Sequence, residues 1–99
     1  MEQTIWKTIN MRTKKGLVMR TLGNEFILVD EGSNLEGFNR MISLNASAAL
    51  LWEAVQDIEF DANTLAGILQ DNYDITREVA ERDITALLKS WREAGILEE

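Results

Sequence analysis

The side chains that most often carry out chemistry are the natural place to begin, and two of them are missing. The chain has no histidine and no cysteine. That removes the usual general base near neutral pH and the commonest transition-metal ligand. It also removes thiolate nucleophiles, thiolate ligands and disulfides. Carboxylates remain, and pairs such as Asp30/Glu31 or Asp71/Asp74 could be arranged as acid and base. No neighbouring residue suggests a partner or an apolar pocket for either pair, so both read as solvated acids. The acidic stretch 71–74 lacks the ligand spacing and the glycine of an EF-hand loop. Neither a glycine-rich phosphate loop nor a nucleophile elbow is present. The sequence therefore points away from an enzyme and implies no metal and no cofactor.

Composition narrows the class further. Ninety-nine residues suffice for one domain with a modest core. An apolar fraction of 45% with 27% charged residues is ordinary for a globular protein. No apolar run approaches the roughly 18 residues of a membrane span. The N-terminus lacks the layout of a secretory signal, so the expected location is cytoplasmic. Net charge is −7 and unevenly spread. Residues 1–20 carry five basic side chains against one acidic, a net +4, whereas residues 21–99 carry five against sixteen, a net −11. An acidic body repels nucleic-acid phosphate. The basic N-terminal stretch reads either as a contact arm or as a solvated lead-in.

Any binding surface must be positioned by elements that change type across residues 42–55. A strand-like alternation stops at Leu44, and Asn45 opens a helical pattern. Asn is a strong N-cap because its side-chain oxygen accepts an N–H that the first helical turn leaves unpaired. From there Ala48, Leu51, Trp52 and Val55 fall at i, i+3, i+4 and i+7 on one apolar face. Upstream, residues 17–22 and 25–30 are rich in strand formers. Between them lies Gly23-Asn24, a pair that tolerates the positive φ of a tight hairpin turn. Residues 31–37 read as a loop, and residues 38–44 as a third strand. That strand places Phe38, Arg40, Ile42 and Leu44 on one face and Asn39, Met41 and Ser43 on the other. Residues 1–15 alternate weakly and admit a short strand, a pairing arm or a tail.

Downstream, Asp61 predicts a second helix with Phe60 as a staple on Leu65, and with Leu65, Ile68, Leu69 and Tyr73 as its buried stripe. Thr76 caps a third helix that should run to about Ala94 and end at Gly95, a residue suited to a left-handed cap. Ile96 and Leu97 then fold back on the core. The expected fold is α+β, a three-stranded antiparallel sheet followed by a three-helix bundle, winged-helix-like. Residues 1–15 form an N-terminal extension or arm and residues 16–99 the domain.

A winged-helix DNA reader would need a basic recognition helix. Residues 77–94 carry four basic and four acidic side chains, and the only charge in residues 62–73 is Asp71. The electrostatics do not support nucleic acid. The third helix is uneven in another way. Ala80, Ile84, Leu87, Leu88 and Trp91 make its core stripe, and Glu81, Thr85 and Arg92 face water on one flank. The other flank, Val79, Asp83, Ala86 and Ser90, is mostly short. Small residues beside a core stripe leave either a shallow groove or room for another element to pack closely. If the third strand is a sheet edge beside such a groove, an extended peptide could add to it through main-chain hydrogen bonds. A free edge could equally pair two copies into a homodimer.

Taken in order, Gly23-Asn24-Glu25-Phe26-Ile27-Leu28-Val29-Asp30, Leu44-Asn45, Ala48, Leu51-Trp52, Leu69 with Tyr73-Asp74, Asp83, Leu87-Leu88 and Gly95-Ile96-Leu97 resemble the PqqD-like family. The resemblance covers residues 17–97, and its most specific piece is Leu44-Asn45 with Trp52 following. It implies a peptide chaperone, similar to the recognition elements that bind the leader of a ribosomally made precursor peptide. Such proteins present the leader to a modifying enzyme, often a radical SAM maturase. The resemblance further implies that the leader lies as an added strand along the third strand, beside the third helix. Carried over, Arg40, Met41, Ile42, Ser43 and Leu44 form the strand side. Val79, Asp83, Ala86, Leu87 and Ser90 face it from the helix, a choice made from the groove and not from a family motif. The strand lacks the aromatic-rich lead-in common before Leu-Asn in this family, and residues 1–15 have no family counterpart. On this reading Ile42→Pro should abolish peptide binding, because proline cannot donate a ladder N–H.

Overall fold

A computed structural model describes residues 10–30 and 41–98. In chain order the elements are β1 (Arg12–Thr13), β2 (Leu17–Leu22), β3 (Glu25–Asp30), β4 (Met41–Leu44), α1 (Ala46–Val55), α2 (Ala62–Asn72), α3 (Arg77–Ala94) and β5 (Leu97–Glu98). Strands β2, β3 and β4 form one antiparallel sheet in that order, and β1 pairs with β5. The fold is α+β, with a three-stranded antiparallel sheet and three helices, as the alternation and helical spacing implied.

Short-range chemistry sets the element ends. Gly23 turns the β2–β3 hairpin at φ 61°, in the left-handed region that a side chain would disfavour. Asn45 Oδ1 accepts the Ala48 N–H at 2.8 Å, and Asp61 Oδ1 accepts the Thr64 N–H at 2.8 Å. Thr76 Oγ1 accepts the Val79 N–H at 3.1 Å. Helix α3 stops at Gly95, whose φ is 75° and whose N–H donates to the Arg92 carbonyl at 3.0 Å. Each of these caps stands where its residue type predicts it.

The core lies between the inner face of the sheet and the helices. Leu17, Leu28 and Leu44 are buried on that face, with Met19, Phe26 and Ile42 half-buried beside them. Against them pack Leu51, Trp52 and Val55 of α1, Leu65 and Leu69 of α2, and Ile84, Leu88 and Trp91 of α3. Trp52 and Trp91 meet edge to face with ring centroids 5.5 Å apart. Such a pair contributes about 0.5–1.5 kcal/mol beyond its area burial.

Three stripe assignments need correction. Tyr73 is 41% exposed rather than buried. It follows the last residue of α2 with an extended φ of −136°, which turns its side chain off the helix face. Ile68 and Leu87 are half-buried against the core, and the buried positions of α2 besides Leu65 and Leu69 are Ala62 and Ala66. Ile96 folds back as expected and is buried. Upstream, Met11 is also buried and exchanges backbone hydrogen bonds with Phe60 at 2.8 and 2.9 Å. Lys14 N–H donates to the Ile96 carbonyl at 2.9 Å. Residues 11–14 thereby reach both the α1–α2 connection and the chain's last strand. The loop expected over 31–37, residues 38–40 of the third strand and the segment 1–9 lie outside the described residues.

Candidate functional site

The register of the sheet decides which main-chain groups of β4 point outward. Leu22 and Glu25 flank the two-residue turn as Cα partners. A pair closing such a turn must exchange both of its hydrogen bonds, because the residues inside the turn are chain neighbours. Bonded and non-bonded pairs then alternate, so Glu25, Ile27 and Val29 bond towards β2, and Phe26 and Leu28 bond towards β4. Their partners on β4 are Leu44 and Ile42. Met41 and Ser43 are left with N–H and C=O groups directed away from β3. Among the described residues no strand flanks β4 on that side. The outward edge therefore offers two donors and two acceptors to an added strand.

Side chains on β4 follow the opposite alternation. Leu44 is buried and Ile42 half-buried towards the core, whereas Met41 is 63% exposed and Ser43 exposed. These four were expected on the strand side of a peptide site; Arg40, the fifth, lies outside the described residues.

Where β4 ends, a cleft of about 500 Å³ opens between the start of α1, the end of α2 and the middle of α3. Leu51, Leu69, Ile75, Ile84 and Leu87 supply its apolar surface, and Asn45, Ser47, Tyr73 and Asp83 its polar groups. Its wall at the α2–α3 connection is held by the main chain. The Tyr73 N–H donates to the Leu69 carbonyl at 2.9 Å, and the Ile75 N–H donates to the Tyr73 carbonyl at 3.0 Å. Gln70 Nε2 adds a 3.4 Å bond to the Ile75 carbonyl. On the α1 side, Asn45 Oδ1 is occupied by its cap bond and by the Ser47 hydroxyl at 3.1 Å. An apolar concavity with a few polar groups is the usual form of a ligand or side-chain pocket.

Of the five expected helix residues, Asp83, Ala86 and Leu87 line this cleft, while Val79 is half-buried and Ser90 exposed without lining it. Asp83, Ala86 and Leu87 lie at i, i+3 and i+4 on one face. The difference is one of position along the helix axis, since Val79 and Ser90 share this face but lie about one turn before Asp83 and after Ala86. The short flank of α3 thus borders open space at its middle. Sequence reasoning missed the opposite wall of Asn45, Ser47, Tyr73 and Ile75. The one available signal was the break Asp74-Ile75-Thr76, where an apolar side chain sits in a connection between helices. Among the described residues no group of acids could hold a metal ion, and no helix is long and apolar enough to cross a membrane.

Solved structures share this fold. Lasso peptide synthetase B1, complexed with the leader peptide, is 27% identical with a TM-score of 0.68, over 90% of this chain and 98% of that one. TbiB1 in complex with the TbiA(beta) leader peptide is 16% identical with a TM-score of 0.69, over 88% of this chain and 94% of that one, a likeness of fold. No curated protein sequence matches the chain at a significant level. Residues 25–97 match the family described as coenzyme PQQ synthesis protein D (PqqD), a span from the second strand of the hairpin to the last strand. The chain belongs to the PqqD family.

Proposed function

We propose that this protein is a non-catalytic recognition module that binds the leader of a ribosomally made precursor peptide by strand addition and presents it to a modifying enzyme. The observation that carries the proposal is the outward main-chain edge at Met41 and Ser43, continuous through Asn45 with an apolar cleft. An edge alone gives affinity without selectivity, and a cleft beside it supplies selectivity by receiving side chains of the added strand. Membership of the PqqD family supports this reading. So does the likeness to lasso peptide synthetase B1, whose structure is a complex with a leader peptide. The peptide surface comprises Arg40, Met41, Ile42, Ser43 and Leu44 on the strand side, with Val79, Asp83, Ala86, Leu87 and Ser90 on α3. The enzyme served is a radical SAM or other maturase acting on the same peptide, and the module works in the cytoplasm without a cofactor.

An amide-resolved NMR titration tests the proposal, using the leader of a precursor peptide encoded beside this chain. Shifts concentrated at 40–44 and along the cleft face of α3 are expected. Saturating peptide that moves no amide of β4 or α3 would overturn it.

A further inference from the structure

Among the described residues the cleft carries one charge, and none of them answers it. Asp83 lies among Leu51, Leu69, Ile84 and Leu87 as the single charged side chain among the described residues lining the space. Its helical neighbours at three and four positions are Val79, Ala80, Ala86 and Leu87, so α3 itself offers no cation in reach. Among the described residues Asp83 makes neither a hydrogen bond nor an ion pair. Glu81, on the other flank of the same helix, is paired with Arg77 at 3.0 Å. Asp83 is exposed while the cleft is open to water, and hydration then balances its charge. An occupant that fills the apolar space would strip that water. A carboxylate covered without a partner is strongly disfavoured, whereas one met by a cation forms a charge-assisted hydrogen bond. The net charge of −7 acts in the same direction, attracting basic segments and repelling acidic ones.

We infer that Asp83 makes the cleft selective for a peptide that places a lysine or arginine beside a large apolar side chain. The apolar side chain fills the space between Leu69, Ile84 and Leu87, and the cation meets the Asp83 carboxylate at its margin. This inference rests on the peptide-binding reading above and adds the chemistry of the residue that is selected.

The test is selection of a random linear peptide library, displayed on its own mRNA, against the full chain, its Asp83→Asn variant and its Asp83→Lys variant. Asp83 is exposed, so both variants should keep the wild-type circular dichroism and urea midpoint, which is checked first. The wild type should enrich Lys or Arg at a fixed spacing from an apolar position. Asp83→Asn should lose the basic preference but keep the apolar one, and Asp83→Lys should replace it with Asp or Glu at the same spacing. The best wild-type peptide should bind Asp83→Asn about tenfold more weakly, with its salt dependence reduced. Equal basic content in the wild-type and Asn pools, or enrichment of hydroxyl side chains in place of basic ones, would overturn the inference while leaving strand addition intact. Failure of every protein to enrich any peptide would overturn strand addition itself, and this inference with it.

Discussion

Proline substitution along β4 separates strand addition from ordinary surface contact, because adjacent residues present their N–H groups to opposite sides. Ser43 directs its N–H outward, and Ile42 directs its N–H at the Leu28 carbonyl. Ser43→Pro removes a donor on the free side, where a sheet tolerates proline. A leader strand docked there would be left with a carbonyl that is desolvated and unpaired, which costs about 1–3 kcal/mol. That corresponds to a Kd weakened about five- to 150-fold, with the proline ring's projection into the added strand increasing it. Ser43→Ala keeps the N–H and should change Kd by no more than about twofold. Ile42→Pro orphans the carbonyl of Leu28, which is 0% exposed, and so acts on stability. It should lower the urea midpoint by about 1 M or more. This corrects the use of Ile42 as the diagnostic position, since its loss of binding would only report a broken sheet. Anisotropy of a fluorescein-labelled leader measures Kd, and urea unfolding confirms that each variant is folded. A folded Ser43→Pro protein with wild-type affinity would refute the register argument or strand addition.

Three further outcomes are expected. Trp52→Ala should cost roughly 3–5 kcal/mol in urea unfolding, because the ring is 0% exposed and packs on Trp91; a loss below about 1 kcal/mol would contradict its place in the core. Asn45→Ala should cost about 0.5–2 kcal/mol through loss of the 2.8 Å cap bond, and an unchanged midpoint would show that the cap contributes nothing. No described strand covers the outward edge of β4, which could take a second copy as well as a peptide, so light scattering over a concentration series tests for a homodimer. A dimer that dissociates on adding leader would identify the two as competitors for one edge, while a monomer at every concentration removes self-pairing.

Much of the fold was legible because its signals are local. A cap joins residues three apart, a tight turn needs a positive φ at one position, and a helix face repeats within a turn. Asn45, Asp61, Thr76, Gly23 and Gly95 could therefore be placed without knowing the tertiary structure. Burial of the outer stripe positions was less legible. Tyr73 continued the helical period of α2, yet the backbone had already left the helix there, and period alone does not register a change in backbone dihedrals. Met11 likewise sits in a weakly patterned stretch, and its burial depends on Phe60, far along the chain.

The candidate site divides along the same line. From sequence alone came the short flank of α3 with Asp83 and Ala86, and the strand ending at Leu44-Asn45, since residue size and alternation are written locally. Tertiary structure alone decided that the middle of that flank borders open space while Val79 and Ser90 do not line it. It also decided that Tyr73 and Ile75 stand in the wall of the cleft that holds Asp83. Which amides of β4 face outward is set by the register that runs from Gly23-Asn24 across two strand pairings. Those facts depend on contacts between residues distant in the chain. No local propensity encodes them.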